Sequence, residues 1–276
     1  MGIVGAFILP HGAMVLDEKK AKKQQAIELH KAMKQITQQI KDLKPDIIFL
    51  TSPHGISHSN DFGIYLNKAA SCSAEWNGDY GNYSCEIPID QKLSEELLEY
   101  LLDKETAISG VVAYAPGFNI PLRWGEAVPL WFLRDIPSSF IIMSQPLKRY
   151  DMAKELIPET LTLGNDLRIF FENLEKRTVI VISADLAHTH QEEGPYGFDE
   201  SASIFDDLIG KWANTLNDKI LLKQVVPKLN KAKVCGYIGF IMLQGMLGKL
   251  DFTPQLIVNQ APTYYGMMIA QFKREK

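Results

Sequence analysis

The sequence predicts an α/β fold: a single domain over residues 1–276 with a mostly parallel central sheet flanked by helices on both faces. Three observations predict it. Short apolar runs rich in β-branched residues, Ile3–Leu9, Asp46–Ser52 and Thr178–Ser183, read as strands buried on both faces. Helical and strand-like stretches alternate along the chain, and no Ser/Gly-rich or Pro-rich linker separates them. The three runs also end alike, at Pro10-His11-Gly12, at Pro53-His54-Gly55 and at Ala184-Asp185-Leu186-Ala187-His188, so histidines lie just past the carboxyl ends of buried strands, where open α/β sheets place their ligand sites.

After the first run, Asp17–Leu43 carries apolar residues at Ala26, Leu29, Met33, Ile36, Ile40 and Leu43, the single stripe of one long amphipathic helix. His30 falls in its polar part and reads as a surface residue. Lys44-Pro45 ends the helix and launches the next strand, which completes a βαβ unit. Gly55 to Pro88 reads as a long irregular segment, a loop or small hairpin beside the site, with a short strand at Phe62–Leu66. Asp90 caps a helix to Leu102, with Leu93, Leu97, Leu98 and Leu101 on its apolar side.

Ser109–Tyr114 and Ser139–Ser144 are further strands. They flank a stretch from Pro116 to Trp131 rich in Pro, Gly and aromatics. Asp151–Glu175 is mostly helical. Past the third run, Gly194–Phe198 is a loop, and Asp199 caps a helix that reaches Ala213. Asn217–Leu229 is a helix, Cys235-Gly236 opens another to Leu247, and Gln255–Asn259 and Tyr264–Phe272 close the chain as strands.

A net charge of -4 gives no basic footprint for nucleic acid. No apolar run reaches the length of a membrane span, and Met1-Gly2-Ile3 leads into a strand with no secretory signal. Three cysteines with no CxxC pair suit a reducing, cytoplasmic setting, and no role is assigned to Cys72 or Cys85.

Imidazole is both the commonest nitrogen ligand for divalent metals and the usual acid or base near neutral pH. His11, His54 and His188 occupy equivalent positions after three strands, with His58 and His190 close by in sequence. Two histidines plus one anionic group suit a non-haem iron or catalytic zinc site, and Cys235, Glu126, Asp185 and Glu192 are candidates for the third place. Trp124, Trp131, Phe118 and Tyr196 are candidate walls of an aromatic pocket. The chain has no G-x-S-x-G elbow, G-x-G-x-x-G motif or P-loop, so serine-hydrolase and nucleotide-binding readings lack support.

Together Leu9-Pro-His11-Gly, Ser52-Pro-His54-Gly55, Ser183-Ala-Asp-Leu-Ala-His188 and Gly194-Pro-Tyr-Gly-Phe198 resemble the catalytic subunits of class III extradiol ring-cleavage dioxygenases. Within that superfamily the chain is most similar to the dioxygenase-like domain of AmmeMemoRadiSam systems and to Memo-like proteins. The resemblance implies a divalent metal, iron(II) first and zinc or copper as alternatives, held by His11 and His54. Cys235 stands where ring-cleaving members carry a glutamate and Memo-like proteins a cysteine. It further implies His188 as acid/base and a catechol-like aromatic plus O2 as reactants; Trp124, Tyr196, His58 and His190 are expected at the substrate from their place in the sequence. A homodimer is compatible with it. Trp124 replaces a histidine of the ring-cleaving members, so a Memo-like metal-binding protein without ring cleavage is the alternative.

Overall fold

The computed structural model describes residues 1–115 and 117–275. In chain order the elements are β1 (Gly2–Leu9), α1 (Glu18–Lys23), α2 (Ile27–Asp42), β2 (Ile47–Ser52), β3 (Phe62–Tyr65), β4 (Ala69–Ser73), β5 (Ser84–Pro88) and α3 (Gln91–Leu102). There follow β6 (Ile108–Val111), β7 (Ile120–Leu122), α4 (Trp124–Leu133), β8 (Ser139–Ser144), α5 (Ile157–Glu172) and β9 (Arg177–Ser183). The chain ends with α6 (Ser201–Ala213), α7 (Leu229–Ala232), α8 (Tyr237–Leu247), β10 (Phe252–Gln260) and β11 (Met267–Arg274).

The eight-stranded main sheet runs β10-β11-β1-β9-β2-β8-β3-β6. Its centre, β1-β9-β2-β8, is parallel throughout. Antiparallel joins occur at β8/β3, β1/β11 and β10/β11, so the sheet is mixed rather than simply parallel. Because side chains alternate along a strand, each central strand feeds two apolar cores. Phe49, Ile180 and Ile182 join one with residues of α3, α5 and α8, while Leu50, Val179 and Val181 join the other with residues of α2 and α4. A smaller sheet, β5-β4-β7, packs beside α4.

Several sequence expectations change. The long Asp17–Leu43 helix is two helices, broken at Gln24–Ala26 where Gln25 takes a left-handed φ of 57°. His30 is buried at 4% exposure, its Nδ1 2.7 Å from the Val15 carbonyl, because the turn after β1 folds back over α2. The Gly55–Pro88 segment holds three strands, and β3 enters the main sheet. Asn217–Leu229 is a π turn and a 3-10 turn rather than one helix. The aromatic stretch expected from Pro116 contains β7 and the start of α4; Pro116 itself lies outside the described residues. As expected, Asp90 caps α3, accepting from the Leu93 N–H; at α6 the capping position is Glu200 instead, and Asp199, one residue ahead, accepts from the Ser201 N–H.

α5 and α8 cross backbone to backbone. A Cβ added at Gly164 would lie 2.2 Å from the Met242 carbonyl oxygen and 3.0 Å from the Gly245 Cα. Neither neighbour is a flexible side-chain end, so Gly164→Val must push the helices apart. It is expected to destabilise the fold by roughly 3 kcal/mol, read as a lower urea midpoint at unchanged slope.

Candidate metal and aromatic-binding site

Four adjacent parallel strands deliver the site from their carboxyl ends: His11 follows β1, Asp185 and His188 follow β9, His54 follows β2, and Arg149 with Tyr150 follows β8. Cys235 comes from the turn before α8. The ligand atoms of His11, His54 and Cys235 lie within 4.8 Å of one another, with 3.6 Å between His11 Nε2 and Cys235 Sγ. A nitrogen about 2.1 Å and a sulfur about 2.3 Å from one tetrahedral ion stand roughly 3.6 Å apart, so this pair is spaced for a shared transition-metal ion.

Hydrogen bonds set the imidazole lone pairs. The Ser183 hydroxyl donates to the Gly125 carbonyl, so its oxygen must accept from His11 Nδ1–H, 3.1 Å away. That tautomer leaves the His11 Nε2 lone pair toward Cys235 and toward Asp185 Oδ2, 3.3 Å distant. For His54, the Nδ1 edge meets the Tyr150 hydroxyl at 3.4 Å, and that hydroxyl accepts from Arg149 at 2.9 Å. Outer partners of this kind orient a metal-binding imidazole.

Burial dominates the electrostatics. It holds His11 well below its usual pKa, His54 down to about 3 and His188 to about 4, so all three imidazoles are neutral at pH 7. Burial raises Asp185 to about 8, and the Cys235 thiol is pushed up for the same reason. His11 and Asp185 therefore meet as a neutral hydrogen bond, not an ion pair. Arg149 is only 4% exposed, and none of the ion pairs among the described residues includes it. Its charge disfavours protons on His11 and His54 and favours the Cys235 thiolate, which are the metal-binding forms.

Above the donors opens a cavity of about 390 Å³ lined by His11, His54, Trp124, Asp185, His188 and Tyr196, together with Trp76, Tyr80, Tyr264 and Tyr265. The Trp124 ring lies 5.5 Å from His54 and 4.5 Å from Trp76. His188 stacks on Tyr265 at 5.6 Å, and its Nδ1 donates to the Leu186 carbonyl at 2.9 Å. A second cavity, about 230 Å³, reaches His54, His188 and Cys235 from the side of Arg149 and Lys233.

Not every candidate residue joins this cluster. His58 is exposed and absent from the cavity wall. His190 turns away, bonded through Nε2 to Asp206 at 2.8 Å beside a different cavity. Glu192 and Phe118 are exposed, and Trp131 packs under Arg134. Glu126 lies behind the His54 turn, accepting from the Tyr65 hydroxyl at 3.0 Å. Sequence reasoning missed Arg149, Tyr150, Trp76, Tyr264 and Tyr265. The strand Ser139–Ser144 pointed to the first two, since a strand's carboxyl end marks the site for any polar residue, not only histidine.

Buried without an ion partner, Glu126 has its pKa raised to about 7 by desolvation. A carboxyl whose folded pKa exceeds its unfolded one contributes stability that is present below the unfolded pKa and is lost as pH rises through the folded pKa. Glu126→Gln keeps the acceptor for Tyr65 and removes the ionisation. At pH 8 the variant is expected to be more stable than the parent by about 3 kcal/mol, and at pH 4 to match it, in paired urea titrations.

Three comparisons bear on this geometry. Residues 5–270 match the family described as the catalytic LigB subunit of aromatic ring-opening dioxygenase. A curated protein of Clostridium acetobutylicum, CA_C1420, is 23% identical over 211 residues, 75% of this chain; the match spans 44% of that protein's length. The crystal structure of the uncharacterized protein JW3007 from Escherichia coli K12 superposes with a TM-score of 0.59 at 14% identity, covering 97% of this chain and 99% of the other, which shows a shared fold.

Proposed function

Because the chain belongs to the family of the catalytic LigB subunit of aromatic ring-opening dioxygenases, we propose that it is a metal-dependent dioxygenase that opens a catechol-like ring with O2. The observation that carries this reading is the convergence of His11, His54 and Cys235, with the two histidines and His188 lining an aromatic-walled cavity. Residues 1–276 act as one domain in it, with helices covering both faces of the sheet and the two apolar cores as support. Among the described residues no helix is long and apolar enough to cross a membrane, in keeping with a cytoplasmic protein, monomeric or as a homodimer.

His11, His54 and Cys235 hold the metal, with Asp185 beside them as a proton store. When bound, a divalent ion supplies Lewis-acid chemistry to the ring hydroxyls and, as iron, the redox chemistry through which O2 enters the ring; zinc or copper are the alternative occupants. The chain's own residues do the rest. Trp124, Trp76 and Tyr196 offer apolar faces that orient a planar ring and keep water from it. With Nδ1–H committed to the Leu186 carbonyl, His188 has its Nε2 lone pair free to take a proton from a ring hydroxyl and later return it. The buried Arg149 charge favours an anionic, singly deprotonated substrate. His58 and His190, expected near the substrate, take no part in this reading.

Loading with Fe(II) under nitrogen, followed by an O2-uptake assay over a panel of catechols, tests the proposal. Uptake coupled to the yellow absorbance of a ring-opened product is the expected result. Bound iron with no uptake on any catechol would sink it. Trp124 favours the second reading, a Memo-like metal-binding protein without ring cleavage. The indole beside His54 stands where ring-cleaving relatives carry a histidine that assists substrate binding, and that reading predicts metal binding with an inert pocket.

A further inference from the structure

We propose that Cys72 and Cys85 form a reversible disulfide, a redox-modification site separate from the metal-donor cluster. The two residues face each other directly across the antiparallel β4/β5 pair. Direct partners project to the same side of a sheet. Here that side is the inner one: Cys72 is buried, Cys85 is half-buried, and both pack on the core shared with α4.

The ladder also fixes the kind of pair. The Ala74 N–H donates to the Tyr83 carbonyl at 3.0 Å, and the Ile89 N–H to the Lys68 carbonyl at 2.9 Å. Counting by twos along the register from either bond makes Cys72 and Cys85 a hydrogen-bonded pair. Cα atoms in such pairs stand roughly 5.5 Å apart. That separation lies within the roughly 4.4–6.8 Å of disulfides, but the Cβ atoms of a hydrogen-bonded pair, about 5–5.5 Å apart, must close by roughly 1 Å to reach a bridge, a strain that makes the disulfide easily reduced. The neighbouring Cys72 thiol is the largest cause lowering the Cys85 pKa, with the Arg134 charge adding to it, while the Cys72 thiol is pushed up.

Cys85 is thus the accessible sulfur and the better thiolate, and Cys72 the resolving thiol. A hydroperoxide is the oxidant. The Cys85 thiolate attacks it; an S–O bond forms as the O–O bond breaks, leaving a sulfenic acid and one equivalent of alcohol or water. The Cys72 thiol then attacks that sulfur, the S–S bond forms, the S–O bond breaks and water leaves. Two thiols lose two electrons and two protons, and one peroxide is reduced. The bridge would tie β4 to β5 beneath α4, the helix whose first residue, Trp124, walls the aromatic cavity.

The test uses the full chain, first reduced and desalted, then treated with hydrogen peroxide, unfolded in an alkylating agent and digested for mass spectrometry. The expected result is a Cys72–Cys85 linked peptide, loss of two alkylation sites of three, and recovery of both with dithiothreitol. In Cys72→Ser, Cys85 should be trapped as a sulfenic acid by dimedone, and in Cys85→Ser, Cys72 should stay alkylatable. Full alkylation of both cysteines after peroxide, over-oxidation of Cys85 with Cys72 still free in the unsubstituted chain, or a linked peptide containing Cys235 would each overturn the proposal. None of these outcomes depends on metal loading or ring cleavage.

Discussion

Replacing His11 or His54 by alanine is expected to weaken metal binding by more than about 100-fold, because even the outer hydrogen-bond partners of a ligand are worth about 10–100-fold. Titration of the metal-free protein with Zn(II) or Fe(II), followed by calorimetry or metal analysis, reads this directly. Cys235→Ala should produce a comparable loss. Ser183→Ala belongs in the lower range, since it removes the acceptor that fixes the His11 tautomer and leaves all three donors in place. Proton release gives a second signature. The Cys235 thiol is pushed up by burial in the absence of metal and must ionise to bind, so affinity should rise by about tenfold per pH unit for each proton released. Affinity that is flat from pH 6 to 8, or metal fully retained in Cys235→Ala, would remove the cysteine from the ligand set.

The second large effect concerns His188. In a ring-opening assay His188→Gln is expected to lower turnover by about 10²–10⁴-fold while metal content and substrate affinity stay near those of the parent, because the ring acts on protons rather than on the ion. Its pKa, held down to about 4 by burial, makes the neutral form dominant above pH 5. The acid limb of the activity profile should therefore lie below the usual imidazole range, and as pH falls through about 4 the protein should also lose the stability that the depressed pKa contributes. A parallel loss of metal in His188→Gln would instead make His188 a ligand.

How far the sequence could be read depended on the kind of signal each residue leaves. Buried parallel strands announce themselves as unbroken β-branched runs, so β1, β2, β8 and β9, the four strands that carry the site, were legible to within a residue or two. His11, His54 and His188 were legible for the same reason, as they are the residues at which those runs stop. The start of α3 was readable because its capping carboxylate, Asp90, lies in the local sequence. The break at Gln25 left no such mark, since the apolar stripe of Asp17–Leu43 continues through it. His30 looked solvated because a helix pattern says nothing of what folds over its polar side.

By itself, then, the sequence determined the strand order along the chain, the histidines at the strand ends and the family resemblance that made Cys235 a candidate ligand. Only the tertiary structure decided which groups share one site. It brought Cys235 to 3.6 Å from His11 across most of the chain length, placed buried Arg149 behind His54, sent His190 to Asp206 instead, and closed the cavity with Trp76, Tyr264 and Tyr265 from two separate loops. The physical reason is that local pattern reports burial and backbone geometry, which neighbouring residues set together. The meeting of donors depends on the order in which strands lie in the sheet, and β9 stands between β1 and β2 only in space.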